Sequence, residues 1–88
     1  MLTHDLETDS DVFQALIARL RKFEIRKDNR GFSVGDVLRL RETHSTGEEM
    51  AAGAPLKYTG REALISVTHI LRGPIYGLKK GWVIMSVD

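Results

Sequence analysis

Glu24 and Arg26 stand two residues apart in the run Lys-Phe-Glu-Ile-Arg-Lys at positions 22–27. On an extended strand that spacing puts both side chains on one face, with their Cβ atoms roughly 6.5–7 Å apart, so both can meet one ligand. A carboxylate accepts from an amino or ring N–H, while a guanidinium donates in a planar fork to a phosphate or carbonyl. Together they form a nucleotide-recognition pair. The same two residues would also serve as an ordinary exposed ion pair contributing roughly 0–1 kcal/mol. Arg21 adds a second guanidinium that, like Arg26, can hold a phosphate. Arg30 and Arg39 supply a looser electrostatic rim.

Charge along the chain supports that focus. Thirteen Lys and Arg against twelve Asp and Glu leave a formal net charge of +1, but the distribution is uneven. Residues 1–18 hold Asp5, Glu7, Asp9 and Asp11 with no Lys or Arg, whereas residues 19–30 hold six cations against Glu24 and Asp28. A concentrated basic segment attracts phosphates, because each neutralised phosphate releases condensed counterions without any base-specific contact. A solvated cationic face balanced by its acidic neighbours is the alternative reading.

Other chemistries find little footing. With no Cys, a thiolate metal site, a cysteine nucleophile and a structural disulfide are all excluded. His4, His44 and His69 lack the close spacings of metal ligands. No Gly-x-Ser-x-Gly elbow or Walker loop occurs. Gly73 and Gly77 beside Lys79 and Lys80 could cradle phosphate, but a turn between strands uses glycine for conformational reasons anyway. Among the aromatics, Phe13, Phe23 and Trp82 read as core, while Phe32 and Tyr58, flanked by turn residues, are the base-stacking candidates.

These side chains need a scaffold, and 88 residues make one domain over 1–88 rather than two. No apolar run approaches the ~20 residues of a membrane helix, and residues 1–11 are acidic, unlike a signal peptide. The sequence predicts a short first strand over 2–6. A helix over 11–20 follows, with Ser10 as its N-cap and Val12, Phe13, Leu16, Ile17 and Leu20 on one face. Period-two alternation then predicts a strand over 22–27 with Phe23 and Ile25 turned to the core and Glu24 and Arg26 to solvent, and another strand over 37–41. Residues 42–57 show little periodicity and read as a mobile flap or disorder. Strands over 61–71 and 82–87 close the chain. Four or five strands and one helix suit an α+β domain whose sheet curls into a small barrel, because closure hides strand edges.

Lys-Phe-Glu-Ile-Arg-Lys, the following Asp-Asn-Arg-Gly-Phe-Ser-Val-Gly-Asp-Val-Leu at 28–38, and Tyr58-Thr59-Gly60-Arg61 together resemble the ASCH group of the PUA-like superfamily, especially small phage and bacterial members. The resemblance runs from Thr3-His4-Asp5-Leu6 to the closing Gly-Trp-Val-Ile. It implies a small PUA-like β-barrel of about five strands, one main N-terminal helix packed at its mouth, and a cleft between them that takes RNA or modified nucleosides. The group's motif, Gly-x-Lys-x-x-Glu-x-Arg, falls here on Arg19, Arg21, Glu24 and Arg26, matching at the last two. Some relatives hydrolyse the acetyl amide of N4-acetylcytidine with a Lys at the position of Arg21 and a Thr at that of Glu24. A guanidinium stays protonated at any working pH and does not abstract a proton.

The leading expectation is therefore a cytoplasmic, non-catalytic module that binds RNA or a nucleotide beside residues 22–27 through Arg21, Glu24, Arg26, Arg30 and Arg39. It needs no cofactor, metal or membrane. Two alternatives stand beside it: a hydrolase of a modified nucleoside with Glu24 as general base, and a phage accessory protein whose basic strand and 42–57 loop dock on a host protein.

Overall fold

The computed structural model describes residues 1–88, and its elements run β1 (Thr3–Thr8), α1 (Ser10–Ile17), β2 (Phe23–Lys27), β3 (Val37–Thr43), α2 (Gly47–Ala51), β4 (Tyr58–Arg72) and β5 (Trp82–Val87). The strands form one five-stranded mixed sheet in the order β1-β3-β4-β5-β2. β1 and β3 are parallel, and every other pair is antiparallel.

The length of β4 organises the sheet. Fifteen residues extended at about 3.3 Å each would span roughly 50 Å, yet the longest dimension of the molecule is 32 Å. The strand must therefore bend, and its register shifts between Val67 and His69. An irregularity of this kind kinks a strand and raises its twist. Before the bend β4 pairs with β3, from Tyr58 opposite Thr43 to Ser66 opposite Val37, and after it β4 pairs with β5. The sheet thus wraps around a core of Leu6, Phe13, Leu16, Phe32, Leu38, Leu40, Val67, Val83, Met85 and Val87.

The wrap stops short of a closed barrel. β1 and β2 end the strand order, and no strand pairing joins them. Side chains cross the seam instead: Arg26 Nη2 donates to Glu7 O at 2.9 Å, and Arg30 Nη1 donates to Asp5 O at 2.8 Å. β2 and β3, consecutive in sequence, do not pair with each other.

Helix α1 is shorter than the expected 11–20, for a local reason. Ala18 is its C-cap and Arg19 takes φ +58°, the left-handed conformation. Arg19 N–H donates to Leu16 O at 3.1 Å and Leu20 N–H to Ala15 O at 2.9 Å. That is the Schellman arrangement, with an arginine where glycine is usual. Asp9, not Ser10, is the N-cap residue, and its carboxylate does not cap the helix. Asp9 Oδ1 accepts from Gly47 N–H at 2.9 Å, while the Ser10 hydroxyl donates to Glu42 Oε2 at 2.9 Å. The 42–57 segment carries α2, which starts with a capping box: Glu49 N–H donates to Thr46 Oγ1 and Thr46 N–H to Glu49 Oε1. The expected flap is in part a short capped helix.

Polar side chains pin the chain around the core. Asp36 accepts from Leu2 N–H at 3.0 Å, Ser33 N–H at 3.0 Å and His4 Nε2 at 2.8 Å. Asp28 accepts from the N–H groups of Arg30, Gly31 and Phe32 and from Arg72 Nη1. Phe32, held by that turn, lies 1% exposed in the core and not on a stacking surface. At the β4–β5 turn Gly73 approaches the Lys79 carbonyl so closely that a Cβ there would collide with it, so the glycine serves the turn itself.

Candidate functional site

The alternation in residues 22–27 has the expected period and the opposite sense. Glu24 is 1% exposed, whereas Phe23 and Ile25 are 47% and 43% exposed. Pairing with β5 explains the inversion. Glu24 lies opposite Met85 and Arg26 opposite Val83, both buried, so the face shared by Glu24 and Arg26 is the inner one. Phe23 and Ile25 face outward opposite Ser86 and Ile84. Placing a carboxylate where an apolar residue would pack carries a desolvation cost that only paired charges offset.

The Schellman turn at Arg19 brings Arg21 to the start of β2, and Arg21, Glu24 and Arg26 converge there. Arg26 Nε donates to Glu24 Oε2 at 2.8 Å, and Arg21 Nη2 stands 3.4 Å from Glu24 Oε1. That second approach is an ion pair without hydrogen-bond geometry, so Oε1 is a buried acceptor with no donor. Arg21 is anchored elsewhere: Nε donates to Phe23 O at 2.9 Å, and its guanidinium stacks over the Phe23 ring at 4.5 Å.

All three residues line a cleft of about 350 Å³ along the free edge of β2. Across it stand Glu7 and Thr8 from the end of β1, Asp9 at the N-cap of α1, and Gly47 and Met50 from α2; Val12, Ile25 and Trp82 give it apolar surface. Its charged lining is balanced, with Arg21, Arg26 and Lys27 against Glu7, Asp9 and Glu24. Trp82 is therefore a cleft residue, 36% exposed, and not the core residue expected. Phe23 is likewise a surface residue.

The other two predicted site residues lie apart. Arg30 is committed to the Asp5 carbonyl at the seam. Arg39 lies on the outer face of β3, where two of its nitrogens reach both oxygens of Glu62 at 3.2 and 2.7 Å and a third reaches Asp5 Oδ2 at 3.1 Å. Glu62 and then Asp5 hold its guanidinium above its ordinary pKa. Tyr58, the remaining stacking candidate, is covered by the Arg41 guanidinium at 3.6 Å. No cluster of three or more His, Asp or Glu side chains is gathered for a metal, and no helix is long and apolar enough to cross a membrane.

The three buried or half-buried carboxylates outside the cleft have full hydrogen-bond complements. Asp36 is pulled down to about 2, first by the His4 hydrogen bond, then by the Leu2 N–H. Glu42 is lowered by the hydroxyls of Thr59 and Ser10. In Asp28 burial acts upward, and the N–H groups of Gly31, Phe32 and Arg30 together with Arg72 outweigh it, leaving the group lowered.

The family model described as Domain of unknown function (DUF3850) matches residues 3–87, nearly the whole chain. The chain belongs to the DUF3850 family. No curated protein matches it. In this DUF3850 domain, then, the site rests on geometry: an inward-facing acid flanked by two guanidinium groups at a seam the sheet leaves open. Trp82, Met50, Glu7 and Asp9 were missed as site residues. Each comes from a different element from β2, and only the topology brings them beside it.

Proposed function

We propose that this DUF3850 domain binds a nucleotide, free or within RNA, in the cleft along β2. The observation that carries the reading is the burial of Glu24 between Arg21 and Arg26 on a concave wall, because an acid turned inward at an edge strand gains nothing from packing. Apolar surface from Val12, Ile25, Met50 and Trp82 beside six charged side chains, and a volume near the lower end of the usual range for small-molecule sites, fit a polar ligand of about nucleoside size. The ASCH resemblance points the same way, and under it the wrapped sheet is a PUA-like barrel interrupted at the β1–β2 seam. The lysine that the ASCH hydrolases use falls at Arg21 here, and a guanidinium does not abstract a proton, so the binding reading is preferred to a hydrolase with Glu24 as general base.

Trp82 is the single tryptophan and lies in the cleft, so its fluorescence reports occupancy directly. Titration with short single-stranded RNA and with ribonucleotides, at low and moderate salt, is expected to quench or shift it saturably. Arg26→Ala is expected to weaken the response by about tenfold or more. Absence of any saturable change, or a response indifferent to Arg26→Ala, contradicts the reading.

A further inference from the structure

We infer that the part of the ligand entering the cleft is an uncharged edge that donates an N–H to Glu24 Oε1, and that any phosphate stays outside; this rests on the nucleotide reading above. Glu24 Oε2 is satisfied by Arg26 Nε at 2.8 Å, while Oε1 has no hydrogen-bond donor although Glu24 is only 1% exposed. A buried acceptor left without a donor is a standing cost that a ligand donor removes. Arg21 Nη2, at 3.4 Å and poorly aligned, covers that oxygen without bonding to it. A well-aligned N–H can bond Oε1 if the Nη2 end of Arg21 turns aside, the guanidinium staying near enough to keep its charge beside the carboxylate. The Arg21 guanidinium keeps its hold on Phe23 O and its stacking on the Phe23 ring.

Phosphate fits the same place badly. A charged phosphate oxygen is an acceptor, so beside the buried Oε1 it would set one anion against another. The guanidinium donors that could offset this are partly spent on the chain itself, Arg26 on Glu24 and on Glu7 O, Arg21 on Phe23 O. Glu7 and Asp9 add further negative charge at the wall. A planar heterocycle with an N–H edge, by contrast, meets an acceptor at Oε1, a donor at Arg21 and apolar surface from Val12, Met50 and Trp82. The chemical class is thus a nucleobase or a similar amide- or amidine-bearing ring.

The test uses the full chain, with Trp82 fluorescence and calorimetry, and three kinds of probe: the common ribonucleosides, their 5′-monophosphates, and ribose 5-phosphate. The inference expects at least one nucleoside to bind within about threefold of its monophosphate and ribose 5-phosphate not to bind. It also expects Glu24→Gln to weaken nucleoside binding by about tenfold or more, because the amide carbonyl must face Arg26 Nε and so presents NH₂ where Oε1 stood. A monophosphate preferred by about a hundredfold, or binding of ribose 5-phosphate, overturns the inference and leaves the nucleotide reading standing. Binding of RNA with no nucleoside bound overturns it too. Failure of every nucleoside, nucleotide and RNA brings down both. The wild-type comparison decides the matter even if Glu24→Gln does not fold.

Discussion

The link between β2 and β3 and the edge of β2 both withdraw carboxylates from water, and they complete them differently. In the link, Asp36 accepts hydrogen bonds from Leu2 and His4 at the start of the chain and from Ser33 beside it, and Asp28 accepts from three consecutive backbone N–H groups and Arg72. At the edge of β2, Glu24 is as deeply buried, yet one of its oxygens has no donor. Burial alone does not mark a functional acid. A carboxylate with every oxygen satisfied fixes the fold, and one left half satisfied beside a cleft is available to a ligand.

The largest effect that separates the two regions is expected at Asp36. Asp36→Ala leaves His4 and two backbone N–H groups without an acceptor, and the melting temperature should fall by roughly 10 °C or more. Acid sharpens the point. Because the folded pKa of Asp36, about 2, lies below the ordinary 3.8, its stabilisation is fully present above pH 3.8 and is lost as pH falls through about 2. Denaturant melts between pH 7 and pH 2 should show that loss, with Asp28 and Glu42 acting in the same direction. Asp36→Asn should flatten the lower part of the curve.

Arg26→Ala comes next. It removes the only hydrogen-bond donor to Glu24 and one of the two ties across the β1–β2 seam, so both thermal stability, by roughly 5 °C, and cleft binding should fall. Glu24→Gln should divide the two properties: a fall in melting temperature smaller than that of Asp36→Ala, with ligand binding reduced by about tenfold. A Glu24 variant that loses as much stability as Asp36→Ala while retaining binding would erase the distinction. The smallest effect is expected at Arg19. Arg19→Gly relieves a left-handed non-glycine residue at the end of α1 and gives up only the exposed pair with Asp88, for a gain of up to about 1 kcal/mol in a denaturant melt.

Much of this architecture was legible in the residues, and the misreadings share a physical origin. Of the four or five strands expected, those over 22–27, 37–41 and 61–71 follow from periodicity, as does the N-terminal helix, and the closing strand falls at 82–87 as its Val, Ile and Met content suggests. Periodicity assigns residues to faces but does not say which face is inside. For β2 that depends on Met85 and Val83 in a distant strand, so Glu24 and Arg26 were paired correctly and turned the wrong way. Phe32 and Trp82 exchanged roles for the same reason, the first drawn inward by the Asp28 turn and the second left at a strand end beside the cleft. α2 did announce itself, since Thr46-Gly-Glu-Glu49 is a capping-box signature. Arg39 could not have been placed from its own neighbourhood, because Glu62 meets it only through the β3–β4 pairing.

The central claim, that the incomplete acid marks the ligand site and the complete ones do not, is tested most directly by an amide and tryptophan-indole NMR titration of the full chain with ribonucleosides. Saturable shifts are expected at residues 7–9, 21–27, Met50 and the Trp82 indole, with the amides of residues 28–36 still. Shifts confined to Lys79 and Lys80 or spread over the basic surface, or no shifts at millimolar nucleoside, contradict it.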